Sequence, residues 1–189
     1  MSRSVTPQPN QPDNMFLVIS SSLSPQSRSR VLANHAAHAL KSLGNECHFV
    51  DLAELKLPRC DADSCYAAPA ARQISDLVKS ASGIVLATPV YNYSIGSEAK
   101  NMVELTGQAW KEKVAGFLCA AGGQGSYMSI MQLANSLMLD FRTFVLPRFV
   151  YATGQAFTDN KVSDPDLQDR IDQFASEMSS VTHALVNRD

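Results

Sequence analysis

Five times along this chain a short apolar run is followed by a segment of helical periodicity, and that alternation limits the possible folds more than any other feature. The runs are MFLVIS from Met15, ECHFVDL from Glu46, IVLAT from Ile84, VAGFLCAA from Val114 and TFVLPRFVYAT from Thr143. A run without charge, such as IVLAT, suits a strand covered on both faces. The helical segments are residues 28–44, 70–81, 98–110, 127–141 and 164–186, with Gly44 and Gly83 placed to end the first two and Asp164 to cap the last. Pro147 should break the fifth strand, because it brings no N–H to a ladder. Strands alternating with helices in this way argue a parallel sheet with helices on both faces.

Five strands fit a flavodoxin-like doubly wound sheet of order 2-1-3-4-5, a three-layer α/β/α sandwich, better than a six-stranded dinucleotide fold. Residues 15–189 are expected to form that single domain. Residues 1–14, with three prolines and no apolar period, read as a disordered tail. The chain of 189 residues is 45% hydrophobic and 18% charged, so it can bury a core without staples. A net charge of -2 argues against a nucleic-acid partner held by a broad basic surface. No apolar run approaches the ~20 residues that span a bilayer, and no secretory h-region precedes Met15, so a cytoplasmic protein without a membrane partner is expected. Cys47, Cys60, Cys65 and Cys119 are too sparse for a disulfide framework. The spacing of Cys60 and Cys65 fits neither a zinc knuckle nor C-x-x-C. The plain reading is free thiols in a reducing compartment, the other a metal site or a regulatory disulfide.

In such a sheet a ligand lies beyond the carboxyl ends of the strands, near the switch in strand order. Three loops of unusual composition fall there. The first is SSSLSPQSRS, in which Ser22, Ser24, Ser27 and Ser29 offer hydroxyls and Arg28 a cation where a strand enters a helix. A helix N-terminus with added hydroxyls suits a phosphomonoester. A plainer role is open to the same residues, one serine capping the helix and the others solvating the loop. The loop is neither G-x-x-x-x-G-K-[ST] nor G-x-G-x-x-G, which disfavours a P-loop NTPase and a dinucleotide fingerprint. The second loop carries Pro89, Val90, Tyr91, Asn92, Tyr93 and Ser94, apt for a flat aromatic ligand unless the tyrosines pack onto the sheet. The third carries Gly122, Gly123, Gln124 and Gly125, whose backbone can approach a ligand closely, although glycines are common in plain turns. One loop for a phosphate and two for a planar ring describe FMN.

These loops resemble the NAD(P)H-dependent FMN reductases of the flavodoxin-like superfamily over residues 15 to about 155. The most specific stretch is the family's T-P-x-Y-N-x-S-I-P-G-x-L-K-N, of which this chain keeps Thr88, Pro89, Tyr91, Asn92, Ser94, Ile95, Lys100 and Asn101. It departs at Gly96-Ser97, where the family has Pro-Gly, and at Ala99. The family's phosphate loop begins G-S-x-R; here it reads Ser21-Ser22-Leu23-Ser24, with Arg28 the candidate substitute. The family's LP-x-Y-D-x-D reads Leu57-Pro58-Arg59-Cys60-Asp61-Ala62-Asp63, a cysteine standing for the aromatic.

The resemblance implies an enzyme that passes hydride from NADPH or NADH to FMN and on to a quinone, dye, oxyanion or oxygen, or serves a flavin-dependent monooxygenase. The flavin carries that chemistry, so no catalytic side chain and no metal is expected. His35 and His38, in the first helix, read as structural or solvated, and His48 and His183 are assigned no role. The resemblance also implies a homodimer or homotetramer, which Met102, Val103, Leu105 and the methionines of the fourth helix would support. A non-enzymatic flavodoxin-type carrier or FMN-binding regulator is the alternative, though flavodoxins are usually strongly acidic.

Overall fold

The computed structural model describes residues 15–186, so the expected tail at residues 1–14 lies outside the described residues. Three strands form the middle of the sheet: β1 (Phe16–Ser20), β3 (Gly83–Tyr91) and β5 (Val114–Ala121). Every residue of the three is buried except Tyr91, which is what their continuous apolar runs required. On one flank, β2 (Cys47–Asp51) pairs with β1. On the other, β6 (Phe144–Val145) and β7 (Val150–Thr153) both run parallel to β5, with Val114 opposite Phe144 and Leu118 opposite Val150. The fifth strand is thus split around Pro147, and the parallel order is second, first, third, fourth, fifth.

Alternation along the strands divides the core. Phe16 and Val18 face α1 (Arg28–Ser42) and α6 (Pro165–Val186), while Leu17 and Ile19 face α3 (Pro69–Ser80), α4 (Ser97–Thr106) and α5 (Met131–Phe141). A short α2 (Leu52–Leu55) follows β2. Local chemistry fixes the ends. Ser27 caps α1 by accepting the Arg30 N–H, Pro69 occupies the first turn of α3, and Asp164 accepts the Asp166 N–H before α6.

Several boundaries differ from the sequence expectation. Ala81, not Gly83, ends α3; Gly83 opens β3, where a Cβ would lie 2.5 Å from the Phe16 ring. The segment expected as one helix over 127–141 is a 3₁₀ stretch, Gln124–Ile130, followed by α5, because Gly125 and the non-helical Ser126 (φ -104, ψ 26) precede it. The helix expected over 98–110 ends at Thr106, and Gly107 at φ 39 turns it into a 3₁₀ stretch to Trp110. Two hairpins add to the plan. In one, β3 turns into the antiparallel β4 (Ser94–Ile95); in the other β8 (Phe157–Thr158) pairs with β9 (Lys161–Val162).

Gly116 sets how closely α6 lies on the sheet. A Cβ there would meet the Phe174 ring at 2.5 Å and Met178 Sδ at 3.1 Å, and Phe174 is fully buried. Gly116→Val should therefore cost ~1–3 kcal/mol as overpacking. Urea unfolding should show an earlier midpoint at unchanged slope; an unchanged midpoint would mean that α6 moves aside without loss.

Candidate active site

The carboxyl ends of β1, β3 and β5 open onto one cavity of about 550 Å³. Its wall includes Ser22, Ser24, Ser27, Arg28 and Ser29 from the loop into α1, Pro89, Val90 and Tyr91 from the end of β3, and Gly122 after β5. Nine of the fifteen residues proposed from sequence therefore meet around one space. Asn92 and Tyr93 form the tip of the β3–β4 hairpin at φ 50 and φ 64, and Ser94 pairs with Tyr91. Positive φ at both central residues is the twist-matched turn for a two-residue hairpin, tolerated by asparagine and strained for tyrosine. The Gly96 N–H holds the hairpin shut by donating to Pro89 O at 2.9 Å and to the buried Thr88 Oγ1 at 3.2 Å. Gly123, Gln124 and Gly125 follow Gly122 along the same rim, off the cavity wall, and Gly123 O accepts the Tyr151 hydroxyl at 2.5 Å.

The serine loop shows the capping role that its composition allowed and keeps donors to spare. Three of the hydroxyl oxygens accept a local N–H: Ser22 from Ser24 and Ser24 from Gln26, both at 3.3 Å, and Ser27 from Arg30 at 3.0 Å. Accepting uses a lone pair and leaves the hydroxyl hydrogen to donate. The Ser27 and Ser29 hydroxyls lie 3.0 Å apart, so one of their two hydrogens is spent between them and the other is free. The N–H groups at the start of α1 have no carbonyl a turn earlier in the helix. The loop thus presents donors and a positive helix end to one side of the cavity, the donor set of an anion site.

Two arginines there do different work. Arg30 braces the loop: its guanidinium donates to Ser24 O at 2.9 Å and Ser22 O at 3.2 Å, and its Nε pairs with Asp51 at the end of β2. Arg28 has no ion-pair partner among the described residues. Its guanidinium stands 6.0 Å from the Phe157 ring and over Gly154, where a Cβ would come within 2.7 Å of Nη1. The cavity wall also includes Gln26, Val31, Ala120, Ala121, Phe157, Asp159 and Asn160, which sequence reasoning did not single out. Phe157, Asp159 and Asn160 come from the β8–β9 hairpin. The sequence marks only its turn: Asp159-Asn160, at φ 50 and φ 56, sits between apolar Phe157 and Val162, and these two residue types tolerate a tight turn of positive φ.

At the third loop, a Cβ on Gly122, Gly123 or Gly125 would meet no protein atom within 4 Å. The protein itself therefore does not require glycine there, and of the three only Gly122 is on the cavity wall. None of the four histidines is on the cavity wall. His35 Nε2 lies 3.3 Å from Asp172 Oδ1 between α1 and α6, and His183 packs edge-on to Phe16. The described residues hold no cluster of three or more His, Cys, Asp or Glu that could bind a metal ion. No described helix is long and apolar enough to cross a membrane.

The sequence matches the family of NADPH-dependent FMN reductases over residues 15–158. This chain belongs to that family. A curated relative, the NAD(P)H-dependent FAD/FMN reductase of Geobacillus thermodenitrificans, is 31% identical over 137 residues, covering 70% of this chain and 74% of its own. Among solved structures, the flavoenzyme NAD(P)H:(acceptor) oxidoreductase FerB of Paracoccus denitrificans superposes with a TM-score of 0.75 at 19% identity, covering 90% of this chain and 98% of that one. An FMN-dependent NADH-azoreductase of Bacillus anthracis, solved in complex with FMN, gives 0.66 at 17% identity, covering 88% and 100%. These two likenesses concern the fold. The family assignment makes the chain an NAD(P)H-dependent flavin oxidoreductase with FMN as its cofactor.

Proposed function

We propose that the cavity at the ends of β1, β3 and β5 is the FMN site, with the phosphate in the Ser22–Ser29 loop and the ring between Pro89–Tyr91 and Ala120–Gly122. The observation that supports this most is the loop at the start of α1. Three of its serine oxygens are used as acceptors, which leaves their hydrogens to donate, and its serines line the open cavity together with Arg28. FMN, when bound, supplies the hydride and electron chemistry. The chain's own part is to bind and orient. The first loop holds the phosphate, Pro89 and Val90 give an apolar wall, and the strand after Ala120 brings main-chain groups to the ring's polar edge. Asn92 and Tyr93, on the hairpin tip, lie off the cavity wall and are given no direct part in holding the ring.

The acceptor class proposed is a small molecule: a quinone, dye, metal oxyanion or oxygen, or a monooxygenase that takes reduced flavin. A homo-oligomer is also proposed, on a surface that keeps Met128 of the sequence expectation and drops its third-helix residues. Met102, Val103 and Leu105 are buried within their own chain, so their apolar surface is already spent. Tyr91, Tyr93, Tyr127 and Met128 are exposed on the two loops beside the cavity, where a second copy would cover them.

Purified protein should be yellow, consume NAD(P)H in the presence of an acceptor and sediment as a dimer or larger. Colourless protein that consumes no NAD(P)H after FMN is added would overturn the site. A lone 20.5 kDa species at micromolar concentration would overturn the oligomer.

A further inference from the structure

We propose that Cys60 and Cys65 are a peroxide-oxidisable dithiol that closes to an intrachain disulfide, a redox site separate from the flavin cavity. Their sulfurs stand 4.0 Å apart, with the Cys65 thiol directed at Cys60 Sγ. Bond formation needs the pair to close by about 2 Å, within reach of side-chain rotation when the backbone already brings them together.

The backbone is fixed to do so. One Asp61 oxygen accepts the N–H groups of Asp63 at 2.9 Å and Cys65 at 3.0 Å, and the other accepts the Ser64 hydroxyl at 2.8 Å. Hydrogen bonds from Cys65, from Asp63 and from Ser64 hold the Asp61 carboxyl well below the usual carboxylate range, so this brace persists across neutral pH. From the other side, Asn101 of α4 accepts the Cys60 N–H at 2.9 Å and donates to Pro58 O at 2.9 Å. The two cysteines are thereby clamped at either end of one short turn.

The two thiols have distinct surroundings. Cys60 is half-buried and meets solvent, with the Tyr66 hydroxyl 3.8 Å from its sulfur. Cys65 is 4% exposed against Ala71 and Leu105, and burial, then Asp61, push its thiol up. Cys60 is therefore the residue that meets a hydroperoxide and Cys65 the one that resolves it. As thiolate, having given its proton to solvent, Cys60 attacks one peroxide oxygen. The O–O bond breaks, and hydroxide leaves and is protonated to water, giving the Cys60 sulfenic acid. Cys65 sulfur then attacks Cys60 sulfur; the S–O bond breaks and the hydroxyl departs with the Cys65 proton as a second water. Two thiols lose two electrons and two protons, and one peroxide becomes two waters. Hydrogen peroxide is the two-electron product of an oxygen acceptor, so this oxidant arises nearby if oxygen is used; the dithiol chemistry itself does not depend on that reading.

The other cysteines are internal controls. Burial in β5 pushes the Cys119 thiol up to about 12, and burial also raises Cys47, with Lys41 partly offsetting it. Full-length protein loaded with FMN, titrated with hydrogen peroxide, alkylated and mapped by mass spectrometry tests the proposal. Two of the four thiols should disappear together, as a linked Cys60–Cys65 peptide lighter by two hydrogens and restored by dithiothreitol. Their loss should run roughly tenfold or more ahead of Cys47 and Cys119. Cys65→Ser should leave Cys60 as a sulfenic acid trapped by dimedone. Four alkylatable thiols after peroxide, or sulfinic acid at Cys60 without the linked peptide, would overturn the pair. The unsubstituted chain decides even if the variant fails to fold, and NAD(P)H turnover read in parallel keeps failure of the flavin site distinct.

Discussion

Riboflavin should bind this protein about a hundredfold more weakly than FMN, or worse, and the deficit should vanish when the serine loop is disabled. The phosphate would take hydrogen bonds from hydroxyls whose oxygens are already engaged, from the free N–H groups opening α1 and from Arg28. Two such bonds to a charged group at ~1.5 kcal/mol each already reach that ratio. Ser22→Ala is the cleaner probe, because Ser22 holds only the Ser24 N–H at 3.3 Å. It should weaken FMN about tenfold and leave riboflavin unchanged. Ser27→Ala should weaken FMN similarly but also cost ~1 kcal/mol of stability, since Ser27 caps α1. Fluorescence titration of both flavins, with thermal unfolding alongside, separates the two effects. Equal affinities for FMN and riboflavin in the unsubstituted chain would place the phosphate elsewhere and return these serines to capping and solvation alone.

The sheet was legible because its central strands are buried on both faces, and burial on both faces writes itself as an uncharged run. The same logic exposed Pro147 as a break, since one missing N–H is a local fact. Gly83 was misread because a glycine after a helix has two uses. Here the Phe16 ring, distant in sequence, decides between them. The cavity was legible in the three loops and not in the fourth contributor. The β8–β9 hairpin is brought there by a chain reversal after β7, and its two-residue strands are too short to announce a period. Arg30 and Arg28 are also indistinguishable in sequence. Only the position of Asp51 at the end of β2 commits Arg30 to bracing the loop and leaves Arg28 without an ion-pair partner among the described residues. The interface expectation failed at Met102, Val103 and Leu105, though not at the exposed Met128 and Met138, for the related reason that helical spacing shows an apolar face without showing what covers it. Met102 has its own core.

Valine at Gly122 should abolish most FMN binding while leaving the fold untouched, and valine at Gly123 should do less. A Cβ at either position meets open space within 4 Å of the protein, and neither glycine has positive φ. A side chain there therefore strains nothing in the chain, and thermal unfolding of the apoproteins should move by no more than about 0.5 kcal/mol equivalent. The difference lies in what the side chain faces. Gly122 is on the cavity wall beside Ala120 and Ala121, so two added methyls would occupy ligand space and cost FMN ~1.5–3 kcal/mol, roughly tenfold to somewhat over a hundredfold. Gly123 is off that wall, and its carbonyl is held by the Tyr151 hydroxyl, which fixes the turn at this point. NAD(P)H turnover at subsaturating FMN should fall in step with affinity for Gly122→Val. It should recover in part at high FMN, because the substitution blocks occupancy and removes no reacting group. Tyr93→Ala, at the exposed hairpin tip, should cost less than either; alanine keeps the Cβ, so the strain at φ 64 stays in place. If Gly122→Val retained full FMN affinity, the ring would not lie against the end of β5, and the flavin would have to be held between the serine loop and β3 alone.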